Sequence, residues 1–144
     1  MWRFIMGVVL MIVTVLGATM LAGGDILLYV GIPAFILVLL VPIFSVFSIW
    51  NRRSWAQAFR HAFGPIGTAD ERKISASIWS LFEITAYIAG LLGLIADIVI
   101  ISVHLDQLKW TLQIAASLTS PIYGIFLGLI SRILKTRVEN PSLK

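Results

Sequence analysis

Titratable residues inside otherwise apolar stretches are the positions where this sequence could carry chemistry. Glu83, Asp97 and His104 interrupt the nearly continuous apolar segment of residues 80–105. Together with Gly90 they recur every seven residues, which places them on one slowly turning stripe of a helix. An ionised carboxylate in hydrocarbon is costly unless it faces protein, a partner or water. We therefore expect Asp97, in the outer part of this segment, to be either neutral or hydrated.

A purely structural interpretation of the same stripe stays open. Glu83 and His104 would then mark the two membrane surfaces, while Asp97 would reach outward to water or bond a neighbouring helix. Both interpretations predict a single polar seam, formed by Glu83, Gly90, Asp97 and His104. They differ in whether Asp97 contacts an ion.

The last apolar segment carries a face of small and weakly polar residues. They recur at steps of three or four, as neighbours on one helix face do: Gln113, Ser117, Ser120, Gly124 and Gly128. Such a face permits close helix packing in a membrane, or it lines a path for an ion. Pro121 removes a backbone hydrogen bond in mid-segment, so we expect a kink or a water site there.

The composition identifies the environment in which these residues act. Of the 144 residues, 59% are hydrophobic and 12% are charged, which leaves too little polar surface for a soluble globule. The absence of cysteine excludes disulfides and thiolate metal sites, and the two histidines lie too far apart to suggest a local metal motif. We expect an integral membrane protein that has no metal, no other cofactor and no enzymatic site.

Four apolar segments are long enough to cross a bilayer as helices. They cover about residues 4–22, 26–49, 78–103 and 110–131, each close to the ~20 residues that span ~30 Å of hydrocarbon. Short links join the first to the second and the third to the fourth, which predicts two antiparallel hairpins. The sequence thus predicts one all-α membrane domain over residues 1–144, with the first segment a span and not a cleavable signal peptide.

The basic residues predict how these helices are oriented. Ten of the eleven fall on one side of the predicted membrane: Arg3, Arg52, Arg53, Arg60, Arg72, Lys73, Arg132, Lys135, Arg137 and Lys144. By the positive-inside rule, both termini, the loop of about residues 50–77 and the tail 132–144 are cytoplasmic. This placement accounts for the net charge of +4, so we expect no nucleic-acid partner.

The cytoplasmic loop contains a short amphipathic pattern. Residues 54–63 place Trp55, Phe59 and Phe63 on one face, and a Gly-Pro-Ile-Gly run ends the pattern. We expect a short helix that lies at the membrane interface.

Two short motifs in the last two segments resemble a known family. Ala89–Gly93 reads Ala-Gly-Leu-Leu-Gly, and Thr119, Ser120, Tyr123 and Gly124 form the second motif. These motifs resemble the third and fourth helices of MotA/TolQ/ExbB-type proton-channel subunits, where an Ala-Gly-Leu-Leu-Gly-Thr helix precedes one ending in Thr-Thr-Leu-Tyr-Gly. Residues 17–40, with a Gly-Gly turn before a proline-initiated helix, are similar to the MotA branch.

The resemblance implies a MotA-like ring subunit of an ion-driven rotary motor in the bacterial inner membrane. Family members form homopentameric rings around single-span MotB- or ExbD-like partners, whose membrane carboxylate exchanges protons or sodium ions as the ring turns. Thr119 and Ser120 would line the ion path, and Tyr123 and Gly124 would support the helix contact. Asp97 and Ser117 are further candidates for contact with the ion or the partner helix.

Two departures from the family pattern shape this expectation. The family's third-helix threonine falls at Leu94, whereas Asp97 occupies a family glycine position three residues later on nearly the same face. Either the polar function has moved one turn outward, or the inherited ion path is altered. The short middle loop also indicates a compact subunit without the large cytoplasmic domain of flagellar MotA.

Two other classes of function stay open on the sequence. A small four-helix drug/proton antiporter would normally carry its essential carboxylate in the first helix, and the first segment here has none. A tetraspan scaffold without an ion path would use the same polar residues only for packing and capping. Oligomeric state separates the three, because a pentamer favours the motor, a dimer the antiporter and a monomer the scaffold.

Overall fold

In the part of the chain that it describes, the structure consists of helices and short connections, with no strand. This computed structural model describes residues 5–10, 12–14, 31–64, 67–103 and 117–140. Four helices there have defined bounds: α1, Ile32–Ile49; α2, Arg52–Phe63; α3, Ala69–Val103; and α4, Thr119–Glu139. Residues 5–10 and 12–14 are also helical. The predicted all-α class is confirmed at this level.

Helix α3 is the one helix of the described residues that is by itself long and apolar enough to cross a membrane, over Ala69–Ile100. Its 35 residues make it about 50 Å long, well beyond the ~30 Å of a hydrocarbon layer. Apolar side chains cover its outer surface in the described structure, among them Ile88, Leu91 and Ile95. The structure thus contains one clear candidate span, and the four-span arrangement stays a prediction.

The start of α3 differs from the sequence expectation. The helix begins at Ala69, nine residues before the predicted position 78, because Thr68 and Glu71 form a capping box. The backbone N–H of Thr68 donates to Glu71 Oε2 at 2.8 Å, and the N–H of Glu71 donates to Thr68 Oγ1 at 3.4 Å. Much of the expected loop of residues 50–77 is therefore helical, and the polar first turns of α3 extend beyond its apolar part.

Helix α2 turns sharply away from α1. The two axes differ by 117°, and Asn51 caps the new helix by accepting a hydrogen bond from the backbone N–H of Ser54 at 2.9 Å. This helix confirms the predicted amphipathic segment, and it begins two residues earlier, at Arg52. The bend turns the aromatic face of α2 back toward α3.

An aromatic cluster fixes α2 against the first half of α3. Trp55 stacks on Phe82 with ring centroids 5.7 Å apart, and Phe59 meets Trp79 edge to face at 4.8 Å. Trp79 is 3% exposed, and its indole N–H donates to the backbone carbonyl of Ala58 at 3.3 Å. The face that the sequence assigned to the membrane interface thus packs in part against protein. Its interfacial location stays a prediction.

Glycines bring α3 and α4 into close contact. A Cβ atom added at Gly124 would lie 2.7 Å from the carbonyl oxygen of Ala86 and 2.9 Å from the Cα of Gly90. Ala86 and Ala89 are fully buried. Only small residues allow two helix backbones to approach this closely, which is the packing that membrane helices favour.

Candidate functional site

The polar seam of α3 faces α4 where the structure describes both helices. Glu83 Oε1 lies 3.9 Å from Arg132 Nη1, and Asp97 contacts Ser120. Between these two contacts, Gly90 packs against the backbone of α4. Glu83, Gly90 and Asp97, which are seven residues apart, therefore all contact the same neighbouring helix, α4. His104, the outermost member of the predicted seam, lies outside the described residues.

The contact between Asp97 and Ser120 is the centre of the candidate site. The Ser120 hydroxyl donates to Asp97 Oδ2 at 3.3 Å, which is longer than the about 2.5–3.0 Å usual for an O–H···O hydrogen bond, so the bond is weak. Ser120 is 1% exposed, whereas Asp97 is partly exposed. The carboxylate can thus be reached from outside the helix pair, and the hydroxyl supports it from within.

Gly93 makes this contact possible. A Cβ atom added there would lie 2.5 Å from Ser120 Cβ and 2.6 Å from Ser120 Oγ. Any larger residue would push Ser120 away from α3 and from Asp97, one turn further along the helix. Gly93 is a site residue that the sequence pattern alone did not indicate, although its spacing of three from Gly90 is a signal for close packing.

The chemistry of the pair suits a group that gains and loses a proton. An ionised carboxylate only accepts hydrogen bonds, whereas a protonated one also donates. A serine hydroxyl does both and can rotate, so it can solvate Asp97 in either state. The pair could equally contact a cation that has lost part of its hydration shell.

The other predicted hydroxyls do not join this pair. Thr119 is 1% exposed, and its methyl group lies against the start of α1, where a Cβ added at Gly31 would be 3.2 Å from it. Ser117 is also buried, at 4% exposed. The structure therefore separates Thr119, which packs toward α1, from Ser120, which bonds α3.

Tyr123 and Gly124 occupy packing positions. Tyr123 meets Phe35 of α1 edge to face, with ring centroids 5.7 Å apart and planes at 82°. A Cβ added at Gly90 would lie 3.1 Å from the Cα of Gly124. These contacts suit the predicted role of Tyr123 and Gly124 in supporting the helix contact, and they place Gly90 in the same packing.

A second polar contact joins α2 to α3. His61 is 7% exposed, and its Nδ1 lies 2.9 Å from Ser75 Oγ. The Ser75 hydroxyl donates to the carbonyl oxygen of Glu71 at 2.9 Å, so it accepts a hydrogen bond from Nδ1. The sequence contains no metal motif around His61, and it did not indicate this contact with Ser75.

Comparisons of the chain with profiles of known protein families, with curated proteins and with solved structures found no match. The interpretation of the site therefore depends on its own geometry and on the motifs in the sequence.

Proposed function

We propose that this chain is a compact, MotA-like ring subunit of an ion-driven membrane motor that works with a single-span partner. The observation that carries the proposal is the hydrogen bond between Ser120 and the partly exposed Asp97. A carboxylate held at a helix contact in an apolar segment is the type of group that marks ion and proton paths in membranes. The order of the two family-like motifs supports the same conclusion.

In the proposed arrangement, four helices cross the bacterial inner membrane as two hairpins, with both termini in the cytoplasm. The length of α3 and its apolar outer surface support this placement. The charges support the orientation, because the polar first turns of α3 and the basic last turns of α4 lie at the same end of the pair, where Lys135 Nζ donates to Ser80 Oγ at 3.3 Å.

In the proposed mechanism, Asp97 meets the membrane carboxylate of the partner helix as the ring turns. A proton passes between the two carboxyl groups, or a sodium ion is shared by them. Ser120 donates to Asp97 when Asp97 is ionised and accepts from it when Asp97 is protonated, so Asp97 keeps one hydrogen bond in either state.

The oligomeric state of the purified full chain tests the proposal most directly. Native mass spectrometry from a mild detergent should detect a pentamer. A dimer would contradict the ring and favour the antiporter, and a monomer that stays monomeric in lipid nanodiscs would favour the scaffold.

A tetraspan scaffold is the second candidate, and the burial of the hydroxyls favours it. Ser117, Thr119 and Ser120 are each at most 4% exposed in the structure of one chain, so packing accounts for them without an ion. Asp97 distinguishes the two candidates. A scaffold needs only the hydrogen bond of Asp97, whereas a motor also needs Asp97 to exchange a proton or an ion.

A further inference from the structure

A basic groove lies between the first turns of α3 and the last turns of α4, away from Asp97. It has a volume of about 490 Å³. Its polar lining residues are Arg72, Lys73, Ser77, Ser80, Lys135 and Glu139. Three cations and one carboxylate give this lining a net charge of +2.

The cations of this groove are poorly neutralised by the described residues. Lys73 is paired with Asp70 at 4.0 Å, but both side chains are more than 80% exposed, so the pair is weak. Lys135 donates to Ser80 Oγ and has no carboxylate within 4.0 Å in the described structure.

Arg72 gives the more specific indication of an anion. Its Nε atom is buried and has no hydrogen-bond partner among the described residues. A donor left without an acceptor is costly, and because Arg72 is partly exposed where it lines the groove, an anion with several oxygen atoms there would give its guanidinium group an acceptor. Guanidinium and ammonium groups that converge on one groove are a usual way to bind phosphate.

The adjoining groove provides an internal contrast. It shares Ser80, Lys135 and Glu139 with the first groove, but it also contains Glu83 and Arg132, which pair with each other at 3.9 Å. The two carboxylates of this second groove, Glu83 and Glu139, balance its two cations, Arg132 and Lys135. The excess positive charge is therefore confined to the side of Arg72 and Lys73.

The groove lies where the polar and apolar parts of α3 meet. Exposed Ile74 is next to Lys73, and exposed Ile84 and Ile133 follow on α3 and α4. If α3 crosses the bilayer, this level is that of the lipid phosphates, where basic pockets bind anionic headgroups. We propose that the groove binds the phosphate of an anionic phospholipid headgroup, such as that of phosphatidylglycerol. The proposal depends on α3 crossing the membrane and not on ion transport.

Thermal unfolding of the full chain in a non-ionic detergent tests the proposal. Dioctanoyl-phosphatidylglycerol, dioctanoyl-phosphatidylcholine and inorganic phosphate are titrated separately. Phosphatidylglycerol should raise the melting temperature with saturation, because a ligand of the folded state stabilises it, and phosphatidylcholine should not. Equal effects of the two lipids would overturn the proposal. Inorganic phosphate binding as tightly as phosphatidylglycerol would also overturn it, since the ligand would then be a free anion.

Charge-matched variants locate the binding. Lys135→Gln and Arg72→Gln should each weaken the apparent affinity for phosphatidylglycerol about tenfold, the loss typical of one charge-assisted hydrogen bond. Arg53→Gln on the exposed surface of α2 removes the same charge outside the groove and should leave the affinity unchanged. An equal loss in all three variants would show a non-specific charge effect and contradict the proposal. If Arg72→Gln fails to fold, Lys135→Gln against Arg53→Gln decides alone.

Discussion

The Ser120 hydroxyl on α4 donates a 3.3 Å hydrogen bond to Oδ2 of Asp97 on α3. The contact exists because α3 has no side chain at Gly93, one turn earlier, where Ser120 fits. Gly93 thus leaves room for Ser120, and this places the Ser120 hydroxyl within reach of Asp97. Separate substitutions can therefore change the hydrogen bond, the helix packing and the charge of Asp97.

Gly93→Ala should destabilise the protein by about 1–3 kcal/mol, because the new methyl group overlaps Ser120 and forces α4 outward. Thermal unfolding in detergent measures the loss. Gly7→Ala is the matched control, since no described atom lies within 4 Å of a Cβ added there. The second change Ser120→Gly should partly restore the stability of Gly93→Ala. Equal melting temperatures for Gly93→Ala and Gly7→Ala would contradict the packing.

Asp97→Asn should leave the oligomer intact and impair the ion flux or alter its pH dependence. The amide oxygen can still accept from the Ser120 hydroxyl, but the side chain no longer exchanges a proton. Native mass spectrometry checks assembly, and a pH-sensitive dye in proteoliposomes that contain the single-span partner measures flux. Flux with an unchanged pH profile would return Asp97 to a structural role and favour the scaffold.

Ser120→Ala and Thr119→Val should have different effects, although the family motif pairs the two residues. Ser120→Ala removes the hydrogen bond to Asp97 and should reduce the flux. Thr119→Val keeps the shape of a side chain that packs toward Gly31, so its effect on flux should be smaller. The same proteoliposome assay compares them at equal protein content. Equal losses would mean that both hydroxyls line the path, as the sequence motif implies.

The capping box of α3 should make the first turn of this helix sensitive to acid. The hydrogen bond from the Thr68 backbone N–H, followed by that from the Thr68 hydroxyl, holds the pKa of Glu71 below its ordinary value. Glu71 lies in the polar first turn, outside the apolar part of α3. A lowered folded-state pKa means that the stabilisation is complete above the unfolded-state pKa. It is lost as the pH falls through the folded-state value.

Hydrogen exchange at residues 69–75 is the suitable measurement of this effect. Protection should fall on acidification in the wild type and depend less on pH in Glu71→Gln, which keeps an oxygen acceptor but has no titratable charge. Identical pH profiles in the two proteins would show that the charge of Glu71 contributes nothing to the cap.

Trp79→Ala should be among the most damaging substitutions in the described chain, at about 3–5 kcal/mol, because it empties the centre of the aromatic cluster. Trp79→Phe loses only the hydrogen bond to Ala58 and some volume, so it should cost less. Phe44→Ala is the control, because Phe44 is 63% exposed. Unfolding by denaturant in detergent measures the loss of stability in each of the three variants. A Phe44→Ala loss as large as that of Trp79→Ala would indicate that another surface covers Phe44.

The sequence by itself determined the helical class and which residues share a helix face. The amphipathic pattern of residues 54–63 predicted α2, because a period of 3.6 residues is a property of the helix itself. The stripe of Glu83, Gly90 and Asp97 was predictable for the same reason. The early start of α3 was not predicted, although Thr68 and Glu71 carry its signal, since a capping box needs only four consecutive residues.

Only the tertiary structure decided which surface each face meets. Ser120 and Thr119 are neighbours in sequence, yet one bonds Asp97 on α3 and the other packs toward Gly31. Periodicity fixes directions around one helix axis but not the rotation of that helix against its neighbours. That rotation depends on where glycines let two backbones approach, and here Gly93 and Gly124 set it.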